Sequence, residues 1–440
     1  MSRLAIHSQA PSDDPPRVSG GVLCLTGLWT AAGAMLFLFS PALAPVLLPL
    51  CLVLPMAWYW RTDGRMVWFG VSGVSFILLS SVVYAAINAS WSMARNEALS
   101  YAVMLFVVVI CLHIGLGTLT RITYRPAVRA MGIGFYVGFV LAGSFLCFEI
   151  LSNHATLFRL MTAFPDIWPQ APAYLSEGAL PPHFLNHRIA ALAILLWPAA
   201  LTAMRLGSTS WGRGLLLVGF APSVLAVAAS EHATSLVAMT AGACVVAVSC
   251  WSWRAAQRLL MLAWIIACLA VVPLCLAAYA ANVHRLPWLA PSAQDRLVIW
   301  KATSDLIPSA PLLGVGIHSG RPLTRAEINR RIAPGTPFAL SVGWHSHNAF
   351  LQVWFETGAL GAGLLLCFGL SVLQNIGLQD MRVRPALFAA FATCTMIAAT
   401  GFSAFAPWLT ASFAICALFA GLASANARSE PYYFSMRRTT

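Results

Sequence analysis

The chain divides into about a dozen apolar runs, each long enough to cross a bilayer, and this pattern limits what it can fold into. The runs fall at approximately 20–40, 42–60, 66–87, 98–117, 130–151, 188–204, 214–229, 233–250, 259–281, 349–373, 386–403 and 408–425. Roughly 20 apolar residues of helix span the hydrocarbon core, and helices satisfy their own backbone in lipid. Apolar residues make up 59% of the chain and charged ones 9%, whereas a soluble domain carries about 25% charged residues. So few charges cannot cover a soluble body of 440 residues. The expected fold is all-α: a polytopic integral membrane protein of about 12 transmembrane helices, with one long outer loop containing short helices.

The polar segments order themselves by side. Counted with the N-terminus inside, the inner segments carry Arg61, Arg65, Arg121, Arg125, Arg129, Arg205, Arg213, Arg254, Arg258, Arg382 and Arg384, while the short outer loops hold little beyond Arg95 and Arg159. That asymmetry satisfies the positive-inside rule with both termini cytoplasmic. The division that follows is a cytoplasmic tail (1–19), transmembrane helices 1–9 (20–281), a long outer loop (282–348), transmembrane helices 10–12 (349–426) and a second tail (427–440). The apolar run after the polar, proline-containing tail is longer than a signal-peptide core, so the first helix is expected to be retained. The net charge of +12 is spread in small groups with no basic stripe, which argues against nucleic acid. All eleven cysteines fall in apolar runs without a CxxC pair and read as small hydrophobes.

Two outer segments exceed a minimal connection: 152–187, with five prolines, and 282–348. Long loops of this kind are usually functional. In the second, Leu297, Trp300, Ser304 and Ile307 form a helical stripe, which suggests a surface-lying amphipathic helix over Gln294–Ile307. Thr324 and Glu327 have the spacing of a capping box, with Pro334 ending the short helix they would open.

The densest polar cluster is Trp344-His345-Ser346-His347-Asn348, directly before the helix that starts at Ala349. Imidazole at a membrane–water boundary can accept a proton near neutral pH. A polar helix start that merely contains two histidines explains the same residues equally well. A zinc reading needs His345, His347, His318, His183 or His187 to converge, and His-x-His without carboxylate or thiolate company is a weak metal pattern. Arg188 opens a transmembrane run and Arg296 opens the amphipathic stretch. Singly each suits an interface anchor; together with His347 on one side of the membrane they suit an anionic lipid-linked substrate, since guanidinium binds phosphate oxygens without a metal. Glu356 lies a few turns into a membrane helix and is expected to face the bundle interior.

His347-Asn348-Ala349-Phe350-Leu351-Gln352 followed by Glu356-Thr357-Gly358-Ala359-Leu360-Gly361 resembles the signature of the O-antigen ligase and O-antigen polymerase superfamily. Arg296-Leu297-x-x-Trp300 with Pro311-Leu312-Leu313-Gly314-Val315-Gly316 is similar to that family's outer-loop motif. Asn186-His187-Arg188 before Leu196-Trp197-Pro198 looks like its upstream arginine motif, with His187 interrupting the commoner Asn-Arg pair. The resemblance implies a multi-pass protein of the bacterial inner membrane, working on its periplasmic face. It would move a polysaccharide from undecaprenyl diphosphate to a sugar hydroxyl of lipid A–core. In the polymerase branch the acceptor is another lipid-linked repeat unit. The implied roles are His347 as general base, Arg188 and Arg296 on the diphosphate, and His345, Asn348 and Glu356 in support, with inversion and no metal or other cofactor. The implied partners are the glycan donor, the glycan acceptor and membrane lipids, with no nucleic acid. A transporter is the rival of another class. It would place ionisable groups near the midplane on broken helices within repeated halves, whereas these residues gather at the outer boundary and no repeat is visible.

Overall fold

The computed structural model describes residues 19–63, 72–119, 121–122, 124–164, 178, 180–207, 209–320, 322–323, 326 and 345–427. Among them every regular element is a helix, as the apolar runs require. The chain passes through α1 (Gly20–Phe39), α2 (Ala44–Asp63), α3 (Gly73–Asn88), α4 (Arg95–Leu119) and α5 (Arg125–Leu151). The short α6 (Ala155–Ala163) follows, then α7 (Asn186–Leu206), α8 (Ser210–Val218), α9 (Ala221–Ala229), α10 (Ala233–Trp251), α11 (Trp253–Leu269) and α12 (Val271–Ala280). The last elements are α13 (Pro291–Leu306), α14 (Ala349–Gly377), α15 (Arg384–Thr400) and α16 (Pro407–Ala427).

Among the described residues ten stretches are long and apolar enough to cross a membrane, and α11 with α12, bent by 73°, makes an eleventh. The expectation of about twelve also counts α15, an apolar helix whose 17 residues fall just short of that length. The α11–α12 bend has a local cause. Pro273 offers no N–H, and its ring meets the carbonyl of the residue four earlier, which is Leu269, the last residue of α11.

Helix α7 is the most deeply buried span. Its run from Ile189 to Leu195 is fully enclosed, as expected of a helix that is apolar all round. Helices α5, α15 and α16 pack on it. Small residues set the closest approach elsewhere: a Cβ on Gly134 or Gly138 of α5 would strike the backbone of Gly27 or Ala31 of α1. Lipid supplies no hydrophobic drive between helices, so such small-residue contact is what holds the pair.

Helix α13 confirms the expected stripe and changes its meaning. Leu297, Ser304 and Ile307 are buried, but so are Ile299, Ala302 and Thr303. The helix packs on α12 and α14 rather than lying free on a surface, because the 3.6-residue period that exposes one face to lipid serves a protein neighbour equally well. Thr324, Glu327, Pro334 and Trp344 lie outside the described residues.

The ends of α1, α3, α9, α12 and α15 and the starts of α7, α10, α13 and α14 gather at one end of the bundle, hereafter the upper end. Arg188 Nε donates to the Phe39 carbonyl (2.7 Å), the Ile317 N–H to Asn88 Oδ1 (2.7 Å), and His347 Nδ1 bonds the Gly401 carbonyl (2.9 Å).

Candidate active site at the upper end

The start of α14 is a built turn. Asn348 has extended backbone, and its Oδ1 accepts the N–H groups of Phe350 and Leu351 (both 3.1 Å), satisfying two of the four donors a helix leaves orphaned. That side-chain oxygen is therefore committed to the helix rather than to a ring or a ligand. Ahead of it the Ser346 carbonyl accepts from Trp300 Nε1 (2.8 Å), which ties the turn to α13. Arg296 stands four residues before Trp300, one turn away on the same face of that helix. The spacing that sequence reading noticed as a motif thus places the guanidinium beside the histidine turn.

His347 sits at φ 52°, a left-handed conformation that costs a non-glycine residue about 1–3 kcal/mol and persists only where surroundings enforce it. Its N–H donates to His345 Nδ1 (3.1 Å), and the two rings are 3.9 Å apart between centroids. A carbonyl oxygen only accepts, so the contact of His347 Nδ1 with the Gly401 oxygen puts a proton on Nδ1. Nε2 is then the basic nitrogen of the neutral ring. Burial holds the His347 pKa below its ordinary value; the Gly401 bond opposes this and the Arg296 charge adds to it. His347 is therefore unprotonated at neutral pH.

Arg296 is partly buried, and burial pushes its pKa down. No hydrogen bond or ion pair engages its guanidinium among the described residues. Its charge also bears on a residue that sequence reading passed over. His232 opens α10, is 7% exposed, and bonds Ser235 Oγ through Nδ1 (2.7 Å). Burial first, then Arg296 and His187, lower its pKa to about 4. The available signal was position: His232 follows the Ser230-Glu231 break between two apolar runs at the upper end.

A short aromatic wall closes the group. Phe402, next to Gly401, lies 5.0 Å from the His187 ring, 5.4 Å from that of His232 and 4.7 Å from Trp408. His187 leads to Arg188, whose Nε and Nη1 donate to the carbonyls of Phe39 (2.7 Å) and Phe184 (2.9 Å), with the Phe184 ring 4.8 Å away. The structure therefore joins His347 and His345 directly and brings the Arg296 charge to bear on both His347 and His232. Arg188 follows His187 in the chain, with two of its five N–H donors already used.

Glu356 belongs to a second assembly beneath the first. Helix α14 breaks at Gly358 (φ 63°, ψ −165°), and the Pro311–Gly316 loop fills the break. The N–H groups of Val315 and Gly316 reach the carbonyls of Phe355 and Glu356 (both 3.0 Å), while those of Ala359 and Leu360 reach Pro311 (2.9 Å) and Leu312 (3.2 Å). The Glu356 carboxylate accepts from Gln352 Nε2 (3.1 Å) and the His318 N–H (2.6 Å). Tyr84, Asn88 and Trp91 of the α3 end hydrogen-bond the Leu313 and Gly314 carbonyls. The two glycine-containing motifs are thus halves of one junction.

No three His, Cys, Asp or Glu side chains are grouped to hold a metal among the described residues, so the zinc reading finds no third ligand there.

Residues 215–366 match the O-antigen ligase family model. The segment includes His232, Arg296, His347 and Glu356, but not Arg188. A protein of Rickettsia typhi, named provisionally as a polysaccharide ligase, is 30% identical over 122 residues, 27% of this chain and 29% of the relative. Its namesake in Rickettsia prowazekii gives the same figures, and one in Rickettsia felis is 29% identical over 126 residues, 28% of this chain and 30% of that protein. The aligned stretch thus spans under a third of each relative. Over residues 215–366 the chain is similar to the O-antigen ligase family.

Proposed function

We propose that the chain is an O-antigen ligase-like glycosyltransferase of the bacterial inner membrane, with both termini cytoplasmic and the upper end facing the periplasm. Its donor is a polysaccharide on undecaprenyl diphosphate, and its acceptor is a sugar hydroxyl of lipid A–core. The observation that carries this reading is the pairing of a neutral His347, its Nδ1 fixed by Gly401, with Arg296, a half-buried cation that no described residue neutralises.

In the proposed step His347 Nε2 takes the proton of the acceptor hydroxyl as the oxygen attacks the anomeric carbon. The new carbon–oxygen bond forms on the face opposite the bond to the diphosphate, which breaks with inversion. The leaving diphosphate takes the electron pair, and Arg296, with Arg188 at the edge, stabilises its growing charge. His345 holds the His347 backbone, and Asn348 and Glu356 support the scaffold rather than the chemistry. Guanidinium charge serves where other enzymes use a divalent cation.

A polymerase of the same superfamily uses the same groups with a different acceptor. The test is surface-polysaccharide profiling of a deletion strain complemented with wild type or His347→Ala. Loss of long-chain glycan from lipopolysaccharide, with polymer accumulating on the lipid carrier, is the ligase result. Single repeat units on otherwise capped core would identify a polymerase. His347→Ala is expected to insert at normal levels and to lower transfer by about 100- to 10,000-fold; full transfer by this variant would overturn the mechanism.

A further inference from the structure

We infer that His232 is a further substrate-contacting residue, its Nε2 donating a hydrogen bond to the anionic diphosphate held by Arg296 and its ring oriented by Ser235. This rests on the proposed reading for the identity of the diphosphate, but not on which sugar or acceptor is used.

Buried polar side-chain atoms are normally hydrogen-bonded. In His232 only Nδ1 is satisfied, by the wholly buried Ser235. Nε2 has no hydrogen-bond partner among the described residues, and it is absent from the polar atoms sealed away without one. It is therefore a ring nitrogen on a largely buried side chain left for a partner that no described residue supplies. The ring is not free to turn away. Phe402 lies against it, and the Ser235 N–H donates to the His232 carbonyl (2.9 Å), so the first turn of α10 carries both members of the pair.

His232 and His347 meet the same turn, His232 through the Phe402 ring (5.4 Å) and His347 through the Gly401 carbonyl (2.9 Å), and the Arg296 charge acts on both. Their hydrogen-bond partners differ in kind. His347 Nδ1 meets a carbonyl, which leaves Nε2 as an acceptor. His232 Nδ1 meets a hydroxyl, which can donate to it and leave the proton on Nε2. With an anion against Arg296, that donor tautomer is favoured. The two rings thus flank the reacting bond in opposite senses, one receiving the acceptor's proton and the other binding the leaving group. No proton leaves His232 in the step, because a lipid diphosphate departs as an anion.

The test uses the full chain in lipid nanodiscs and two readouts. The first is binding of undecaprenyl diphosphate, followed by thermal shift, which requires no turnover. Its apparent affinity is expected to fall about 10- to 100-fold in His232→Phe, the range for a lost hydrogen bond to a charged group, and most of the loss should return in His232→Gln, which keeps an N–H donor. The second is steady-state transfer: His232→Phe should raise the KM for the lipid-linked donor and leave both the acceptor KM and the pH midpoint set by His347 unmoved. Wild-type affinity in His232→Phe would overturn the inference, as would a Gln variant no better than Phe, or wild-type protein that binds no diphosphate lipid. Diphosphate binding with the expected ranking, but no glycan transfer by any variant, would sink the transferase reading and keep His232 as a diphosphate ligand.

Discussion

Two polar assemblies lie one above the other at the upper end of the bundle, and they differ in how completely they satisfy themselves. At the Gly358 junction the broken helix and the Pro311–Gly316 loop exchange four backbone hydrogen bonds, and Tyr84 donates to the Thr357 carbonyl and Asn88 to that of Leu313. In the histidine group above it, Nε2 of His347, Nε2 of His232 and the Arg296 guanidinium have no hydrogen-bond partner among the described residues. Buried polar groups are normally paired, so the first assembly reads as scaffold and the second as a site prepared for a ligand. The same contrast weighs against the transport reading. Transporters break helices to offer bare backbone to their cargo, whereas the carbonyls freed at Gly358 are already bound.

The most severe way to break this contrast is to disturb the scaffold. At Gly358 the φ of 63° disfavours any side chain, and an added Cβ would collide with the backbone of Leu312 and Gly314. Leu312 cannot withdraw without giving up its bond to Leu360, nor Gly314 without giving up those to Ala310 and Trp91. Gly358→Ala is expected to cost on the order of 3–5 kcal/mol, read as a large loss of thermal stability and of folded protein in the membrane. A variant of wild-type stability would mean that the junction is looser than its hydrogen bonds indicate.

A change in the open assembly should do the reverse, lowering activity with little effect on folding. Arg296→Gln removes the unpaired charge but keeps most of the aliphatic stem. Transfer is expected to fall about 100-fold, as for loss of one electrostatic stabiliser of a leaving group, with thermal stability nearly unchanged. The pH profile sharpens the comparison. His347 acts only when neutral, so activity falls as pH drops through its pKa, and burial together with Arg296 keeps that limb below the ordinary imidazole value. Without the Arg296 charge the His347 pKa rises, so the acidic limb of kcat/KM moves to higher pH. An unmoved limb would show that the two residues do not share a field.

How much of this the sequence disclosed depends on the range of the interaction. The spans were legible because each is a local run whose hydropathy is set by its own residues, and the α1–α2 break at Pro41 and the α9–α10 break near Glu231 were visible for the same reason. Arg296 and His347 were found because each lies in a motif beside a helix start. That the Pro311–Gly316 and Glu356–Gly361 motifs form one junction was not legible, since the hydrogen bonds join segments about forty residues apart. Nor was Gly401 as the partner that fixes His347, because a carbonyl oxygen carries no residue identity. His232 was missed because a lone histidine between apolar runs carries no motif. Its relevance comes from Arg296 and Ser235, one distant in sequence and the other without chemistry of its own.

The smallest expected effect lies at Asn348, where the two assemblies meet. Its side chain caps α14, which makes it scaffold, yet it is the next residue after the strained His347. Loss of an N-cap costs about 1 kcal/mol, so Asn348→Ala should lower thermal stability slightly. Asn348→Asp keeps an oxygen for the cap and places a negative charge at a helix N-terminus, where it is favourable, so it should recover that stability. Activity should not follow stability in the two variants, because a carboxylate next to His347 favours the protonated imidazole and sets an anion close to the proposed diphosphate. The Ala variant is therefore expected to be the less stable but the more active, with the acidic limb of its pH profile nearer to wild type. If activity instead tracked stability across the pair, Asn348 would act on the site only through the cap, and the boundary between scaffold and site would lie at His347 itself.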